Sequence, residues 1–212
     1  MTLEPPTKCA IAFFDGQNLF HGAKEAFGYT YPNYDPLKLA QAVSVDQGWT
    51  LSEIRFYTGV PSALDNAFWN GFWANKLRSM ARRGVTVFSR SLRYRNKTIT
   101  LPDGKQVSFL AGEEKGIDVR VSLDVIQGAH HGQLDVALVF GQDQDLSEVA
   151  VEIRRIAREQ NRWIKIASAF PLSPASRNTR GINGTDWIRL DRATYDSCID
   201  PYDHRPPKPA KP

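Results

Sequence analysis

The sequence predicts an α/β fold, with a mostly parallel sheet covered by helices on both faces and an inserted β-hairpin. Two short continuous apolar runs, CAIAFF (9–14) and LDVALVF (134–140), read as strands buried on both sides. Strand-like and helix-like stretches alternate between and after them, the rhythm of a three-layer α/β/α domain. The segment TITLPDGKQVSF (98–109) interrupts that rhythm with two alternating runs around a Pro-Asp-Gly turn, which is a hairpin pattern.

Taken in order, the first apolar run ends at Asp15-Gly16, and Gln17 to about Phe27 reads as helix. Pro36 opens a second helix, since proline is tolerated in a first helical turn. SEIRFYTGV (52–60) is a strand closed by Pro61. From Asp65 to Arg83, Phe68, Trp69, Phe72, Trp73, Leu77 and Met80 recur at helical spacing, which makes this aromatic face core, with one exposed ring able to stack a base. Gly84 ends the helix and VTVFSR begins the next strand. Gly116 to Gly128 and Asp145 to Gln160 read as helices, RWIKIASAF (162–170) as a strand, and WIRLD (187–191) as a short last strand or edge segment. The expected organisation is an N-terminal arm (1–8), a domain (9–170), an extension packed on it (171–200) and a disordered Pro/Lys-rich tail (201–212).

Composition narrows the class. The net charge of +4 favours a polyanionic partner only weakly. Cys9 and Cys198 are far apart and in no metal-ligand spacing, so a reduced, cytoplasmic protein is expected. The N-terminus has no secretory pattern, and no apolar stretch approaches the ~20 residues that span a bilayer. A Gly-x-Gly-x-x-Gly fingerprint, a Walker loop and a Gly-x-Ser-x-Gly elbow are all absent, which argues against dinucleotide, P-loop and hydrolase-elbow chemistry.

In parallel sheets ligands bind outside the carboxyl ends of the strands. Asp15 follows the first buried strand, Asp143 and Asp145 follow the second, and Asp118 sits in the first turn of a helix. Carboxylates that share a site need a cation, and hard oxygen donors select Mg²⁺ or Mn²⁺. Other roles are open to the same residues. Asp145 with Glu148 has the spacing of a capping box, Asn18 can be an N-cap, and Asp118 can complement a helix N-terminus. Asp124 lies six residues beyond Asp118, roughly 120° around the helix, where it can flank the site as a supporting residue behind the ligands or bond the neighbouring backbone. His130 and His131, at a helix end, complement the dipole.

The segments FFDGQNLF (13–20), EEKGIDVRVSLD (113–124) and FGQDQDL (140–146) resemble, in order and context, the three signature segments of NYN domains in the PIN-like group of metal-dependent ribonucleases. The resemblance covers roughly residues 9 to 170. It implies that Asp15, Asp118 and Asp143 bind Mg²⁺ or Mn²⁺, that Asn18 and Asp145 support them, that Asp124 occupies an acidic second-motif position, and that Lys115 holds a phosphate. In the third motif this chain departs from Ser-Gly-Asp-Ser-Asp, so whether Asp143 or Asp145 faces the ion stays open. The stretch 180–201 also looks like a subgroup extension.

The implied activity is hydrolysis of RNA phosphodiesters, with Arg90, Arg93, Arg95, Lys97, Arg177 and Arg180 as candidates to guide the strand. Asp15→Asn is expected to abolish cleavage with little change in the unfolding midpoint. Two other classes remain: a non-catalytic RNA- or protein-binding module on the same fold, and a small-substrate phosphohydrolase. The second is disfavoured because Asp15-Gly16-Gln17 lacks the Asp-x-Asp of phosphatases. An exposed aromatic face leaves homodimerisation open.

Overall fold

A computed structural model describes residues 3–207. Six strands form one sheet: β1 (Lys8–Asp15), β2 (Trp49–Val60), β3 (Thr86–Ser91), β6 (Val136–Phe140), β7 (Lys165–Pro171) and β8 (Asp186–Leu190). Their order is β3-β2-β1-β6-β7-β8, and every neighbouring pair is parallel. The chain winds outward from β1 through β2 to β3, then returns to the other side of β1 with β6. The switch point therefore falls between β1 and β6, where parallel sheets place their ligands.

The apolar runs form these strands because both sheet faces are covered. On one face Ala10, Ala12 and Phe14 of β1 and Val136, Leu138 and Phe140 of β6 pack against α1 (Gly16–Phe27), α2 (Pro36–Asp46) and α3 (Ala67–Arg82). On the other, Ile11, Phe13, Ala137 and Val139 meet α4 (Ile117–His130) and α5 (Ser147–Glu159). The result is a three-layer α/β/α fold. Among the described residues no helix is long and apolar enough to cross a membrane.

The hairpin is a separate two-stranded sheet of β4 (Arg93–Thr100) and β5 (Gln106–Glu113), longer at its base than the alternating pattern showed. Arg93, Arg95 and Lys97 alternate along β4 and so share one face of it, while Tyr94 lies on the other.

The C-terminal segment is anchored on the first face. β8 extends the sheet, and α6 (Arg192–Ser197), a helix that sequence patterning did not show, buries Tyr195 and Cys198 in the core. Residues 201–207 also depart from the expected disordered tail. His204 bonds Asp200, and Arg205 stacks over the Tyr31 ring, so the anchoring carboxylate and aromatic faces order a composition that looked unstructured. The remainder of that tail, 208–212, lies outside the described residues, as do residues 1–2.

Candidate active site

Asp15 ends β1 and caps α1, its carboxylate accepting the Asn18 N–H at 3.0 Å. The turn from strand to helix is tight enough to require glycine next: a Cβ on Gly16 would stand 2.6 Å from the Phe56 ring. The cap places a carboxylate, only 5% exposed, at the switch point.

Asn18 is one turn into the helix and is not its N-cap. Its Oδ1 accepts the Gln142 N–H at 2.7 Å, which ties the start of α1 to the loop after β6. That loop carries Asp143, whose carboxylate accepts the Asp145 N–H at 3.0 Å and caps a short 3₁₀ turn (Gln144–Leu146). Asp118 lies in the first turn of α4, just after Gly116 in left-handed conformation.

Asp15, Asp118 and Asp143 line one pocket of about 240 Å³ together with Glu114, Lys115 and Gly116. Glu114 is the site residue that sequence reasoning missed. It lies just past the end of β5 and accepts the Gly59 N–H from β2. The available signal was the Glu113-Glu114 pair. Glu113 faces out to Lys97 at 2.9 Å, and the adjacent residue turns to the pocket.

The pocket is electrostatically loaded. Burial is the largest cause that pushes the Asp15 carboxyl up to about 6; the charges of Asp143 and Asp118 raise it further, against the lowering bond from Asn18. Burial likewise pushes Glu114 up to about 7, with Asp15 and Asp118 adding to it. No ion pair joins these four carboxylates to a Lys or Arg among the described residues. Four hard-oxygen donors with no such ion pair suit a divalent cation in charge and chemistry. Their placement is looser than a finished coordination shell. Among the described residues no three His, Cys, Asp or Glu side chains gather into a metal-ligand group.

Two expected members lie elsewhere. Asp145 is exposed, does not line the pocket and enters only through its backbone N–H. Nor does it make the capping box with Glu148, because α5 starts after the 3₁₀ turn with Leu146 at its cap position. Asp124 does not line the pocket; the hydroxyl of Tyr57, the β2 residue in register with Asp15, donates to it at 2.8 Å and Arg120 pairs with it at 2.8 Å. The rotation between Asp118 and Asp124 along α4 carries it to that tyrosine and to an arginine, outside the pocket lining. Asp124→Ala would leave the buried Tyr57 hydroxyl unsatisfied, so it is expected to lower stability by about 1–3 kcal/mol. Thermal unfolding of the variant against wild type checks the loss.

Basic groups surround the pocket unevenly. Lys115 lines it, half-exposed and 3.8 Å from Glu113. The Arg90 guanidinium lies against Gly116, where a Cβ would stand 2.5 Å from it. On the opposite side, the Gln142 side-chain amide donates to the Arg180 carbonyl at 2.9 Å, and that of Gln144 to the Gly181 carbonyl at 3.0 Å. These two glutamines staple the loop 178–183 beside the acid loop and keep Arg180 near it. Arg177 is exposed in the same connection, its N–H bonded to Glu25. Arg93 and Arg95 are on the hairpin and do not line the pocket.

No protein-family profile matches the chain, and no curated protein matches it. Among solved structures, a protein of unknown function from Vibrio parahaemolyticus is similar over 90% of this chain and 98% of its own, at 16% identity and a TM-score of 0.52. Ribokinase from Giardia lamblia (8% identity; 81% of this chain, 53% of that one) and MurG from Acinetobacter baumannii (10%; 86% and 45%) reach TM-scores of only 0.36 and 0.32. The Vibrio structure supports the α/β/α architecture of the chain and carries no activity with it.

Proposed function

We propose that this chain is a divalent-cation-dependent ribonuclease of the NYN type, hydrolysing RNA phosphodiesters at the pocket between β1 and β6. The observation that carries the reading is the convergence of Asp15, Glu114, Asp118 and Asp143 on one pocket at the sheet's switch point. Asp15, Asp118 and Asp143 would hold Mg²⁺ or Mn²⁺. When bound, the ion would supply Lewis acidity at a phosphate oxygen and make water more acidic.

The chain's own residues supply the rest. Asn18 fixes the loop that bears Asp143, and Lys115 in the pocket lining and Arg90 beside Gly116 would take phosphate oxygens. Hydrolysis transfers a hydroxyl from water to phosphorus and breaks the bond to the 3′ oxygen, which takes a proton. Glu114, which lines the same pocket as Asp15 and Asp118, would be the group to exchange that proton. The products are a 5′-phosphate and a 3′-hydroxyl. Cys9 and Cys198 are both free thiols, as a reducing, cytoplasmic setting would keep them.

A second reading is a non-catalytic RNA-binding module. It is favoured by the absence, among the described residues, of a gathered metal-ligand group. Incubation of end-labelled single-stranded RNA with Mg²⁺, Mn²⁺ or chelator separates the two. The ribonuclease reading expects metal-dependent fragments ending in 5′-phosphate, and RNA that is bound but left intact under every metal condition would favour the module.

A further inference from the structure

A larger pocket, about 410 Å³, adjoins the acid pocket and has a different character. Phe20 of α1, Trp69 and Trp73 of α3 and Tyr94 of the hairpin line it, with Gln17, Asp65 and Asn66 as polar groups. Its volume lies within the range of small-ligand sites, about 300–1,000 Å³. Trp73 is buried, whereas Phe20, Trp69 and Tyr94 are half-buried, so ring surface remains accessible at the opening.

Two features fix how it relates to the acid pocket. Gly59 separates them: a Cβ there would meet Leu92, which lines the aromatic pocket, at 2.5 Å and Glu114, which lines the acid pocket, at 2.6 Å. Gly112 and Glu114, two residues apart, likewise line one pocket each. Second, the aromatic pocket has no Lys or Arg in its lining and includes Asp65, so it offers a phosphate no counter-charge. Lys115 and Arg90 lie at the acid pocket instead.

Resting on the ribonuclease reading, we propose that the Phe20–Trp69–Trp73–Tyr94 pocket receives one unpaired nucleobase of the RNA strand whose phosphate lies in the acid pocket. Aromatic rings take any base by its π-face, and Gln17, Asp65 and Asn66 offer donors and acceptors to the base edge. A base can enter only when it leaves its helical stack, so the site selects single strands, loops or bulges over continuous duplex. The hairpin contributes both Tyr94 here and, on its opposite face, Arg93, Arg95 and Lys97, where the flanking backbone can run.

The test is binding of a fluorescent single-stranded RNA in chelator, measured by anisotropy for wild type, Tyr94→Ala and Trp69→Ala. The same strand carrying abasic positions, and its blunt duplex, serve as further probes. Each variant is expected to bind the intact strand roughly tenfold more weakly. Neither should differ from wild type on the abasic strand, and the duplex should bind more weakly than the single strand. Thermal melting identifies a misfolded Trp69→Ala, in which case Tyr94→Ala, altered on the half-buried hairpin face, decides the matter alone. Binding of the intact strand by folded Tyr94→Ala as tightly as by wild type overturns the base site. Equal binding of the intact and abasic strands by wild type does the same. If the base site passes and no metal yields cleavage, the ribonuclease reading fails while the base site stands; cleavage with unchanged Tyr94→Ala binding sinks the base site alone.

Discussion

Asp15→Asn is expected to abolish RNA cleavage and, in chelator above about pH 7, to raise the unfolding midpoint. The sign follows from burial. Asp15 is 5% exposed, and its carboxyl is pushed up from 3.8 to about 6 in the fold. The folded state therefore retains a proton that the unfolded chain has already lost. The stability linked to that proton is fully present below pH 3.8 and is lost as the pH rises through about 6. Above that range the ionised, buried carboxylate costs up to about 3 kcal/mol. Asparagine removes the charge while keeping an acceptor for the Asn18 N–H, and it is an equally good N-cap. For a chain of this size, each kcal/mol moves the midpoint by about 2–4 °C. The gain should vanish near pH 4, below which wild type and variant have the same charge at this position. Mn²⁺ should stabilise wild type and leave the variant unchanged. Calorimetry over the pH range with and without Mn²⁺ measures all three effects, and a variant less stable than wild type at neutral pH in chelator would contradict the account of a loaded pocket.

The largest loss of stability is expected from Lys76→Ala, far from the acid pocket. Lys76 is fully buried in α3, where its ammonium donates to the Tyr34 carbonyl at 2.8 Å and to Asp200 at 3.0 Å. Burial pushes the lysine below its ordinary value despite the opposing pull of Asp200, so desolvation is the dominant effect on this side of the pair. Asp200 is held below the usual carboxylate range by Lys76, by the Tyr202 N–H and by His204, which together outweigh its own burial. Removing the lysine leaves that carboxylate, 4% exposed, without its main counter-charge. Breaking a buried pair in this way costs about 3–5 kcal/mol. The midpoint should fall by roughly 10 °C. Because Asp200 anchors the chain that follows α6, limited proteolysis should cut the C-terminal segment first. The double variant Lys76→Met with Asp200→Asn should recover part of the loss, since no lone buried charge remains. A Lys76→Ala protein as stable as wild type would show that the pair does not hold the segment.

The parts of this molecule legible in sequence are those with a local cause. CAIAFF and LDVALVF are apolar on both sides because the strands at the centre of the sheet are covered twice, and Ala10 to Phe14 are all buried. Asp15 and Asp143 could be placed because each directly follows such a strand. Glu114 was not legible, since its contact with Gly59 joins residues 55 positions apart and only the fold brings β5 near β2. The Asp124 partner Tyr57 was not legible for the same reason: helical rotation gives the angle of Asp124 from Asp118 but not the β2 tyrosine on that side. The departure Gln142-Asp143-Gln144-Asp145 has a long-range meaning too, because both glutamines bond the 178–183 loop. Lys76 is buried against Tyr34 and against Asp200 of the returning C-terminal chain, partners that are not local to α3. The expectation that Asp15→Asn leaves the midpoint unchanged is revised on the same basis, because burial of Asp15 is a property of the assembled pocket.

The central claim is that the carboxylates between β1 and β6 hold a divalent cation, and Mn²⁺ binding tests it most directly. Electron paramagnetic resonance titration of chelator-treated wild type, Asp15→Asn and Asp124→Ala reports bound ion without requiring turnover or a known RNA. The account predicts saturable Mn²⁺ binding by wild type and by Asp124→Ala, and none by Asp15→Asn. Equal binding by all three, or by none, would contradict it.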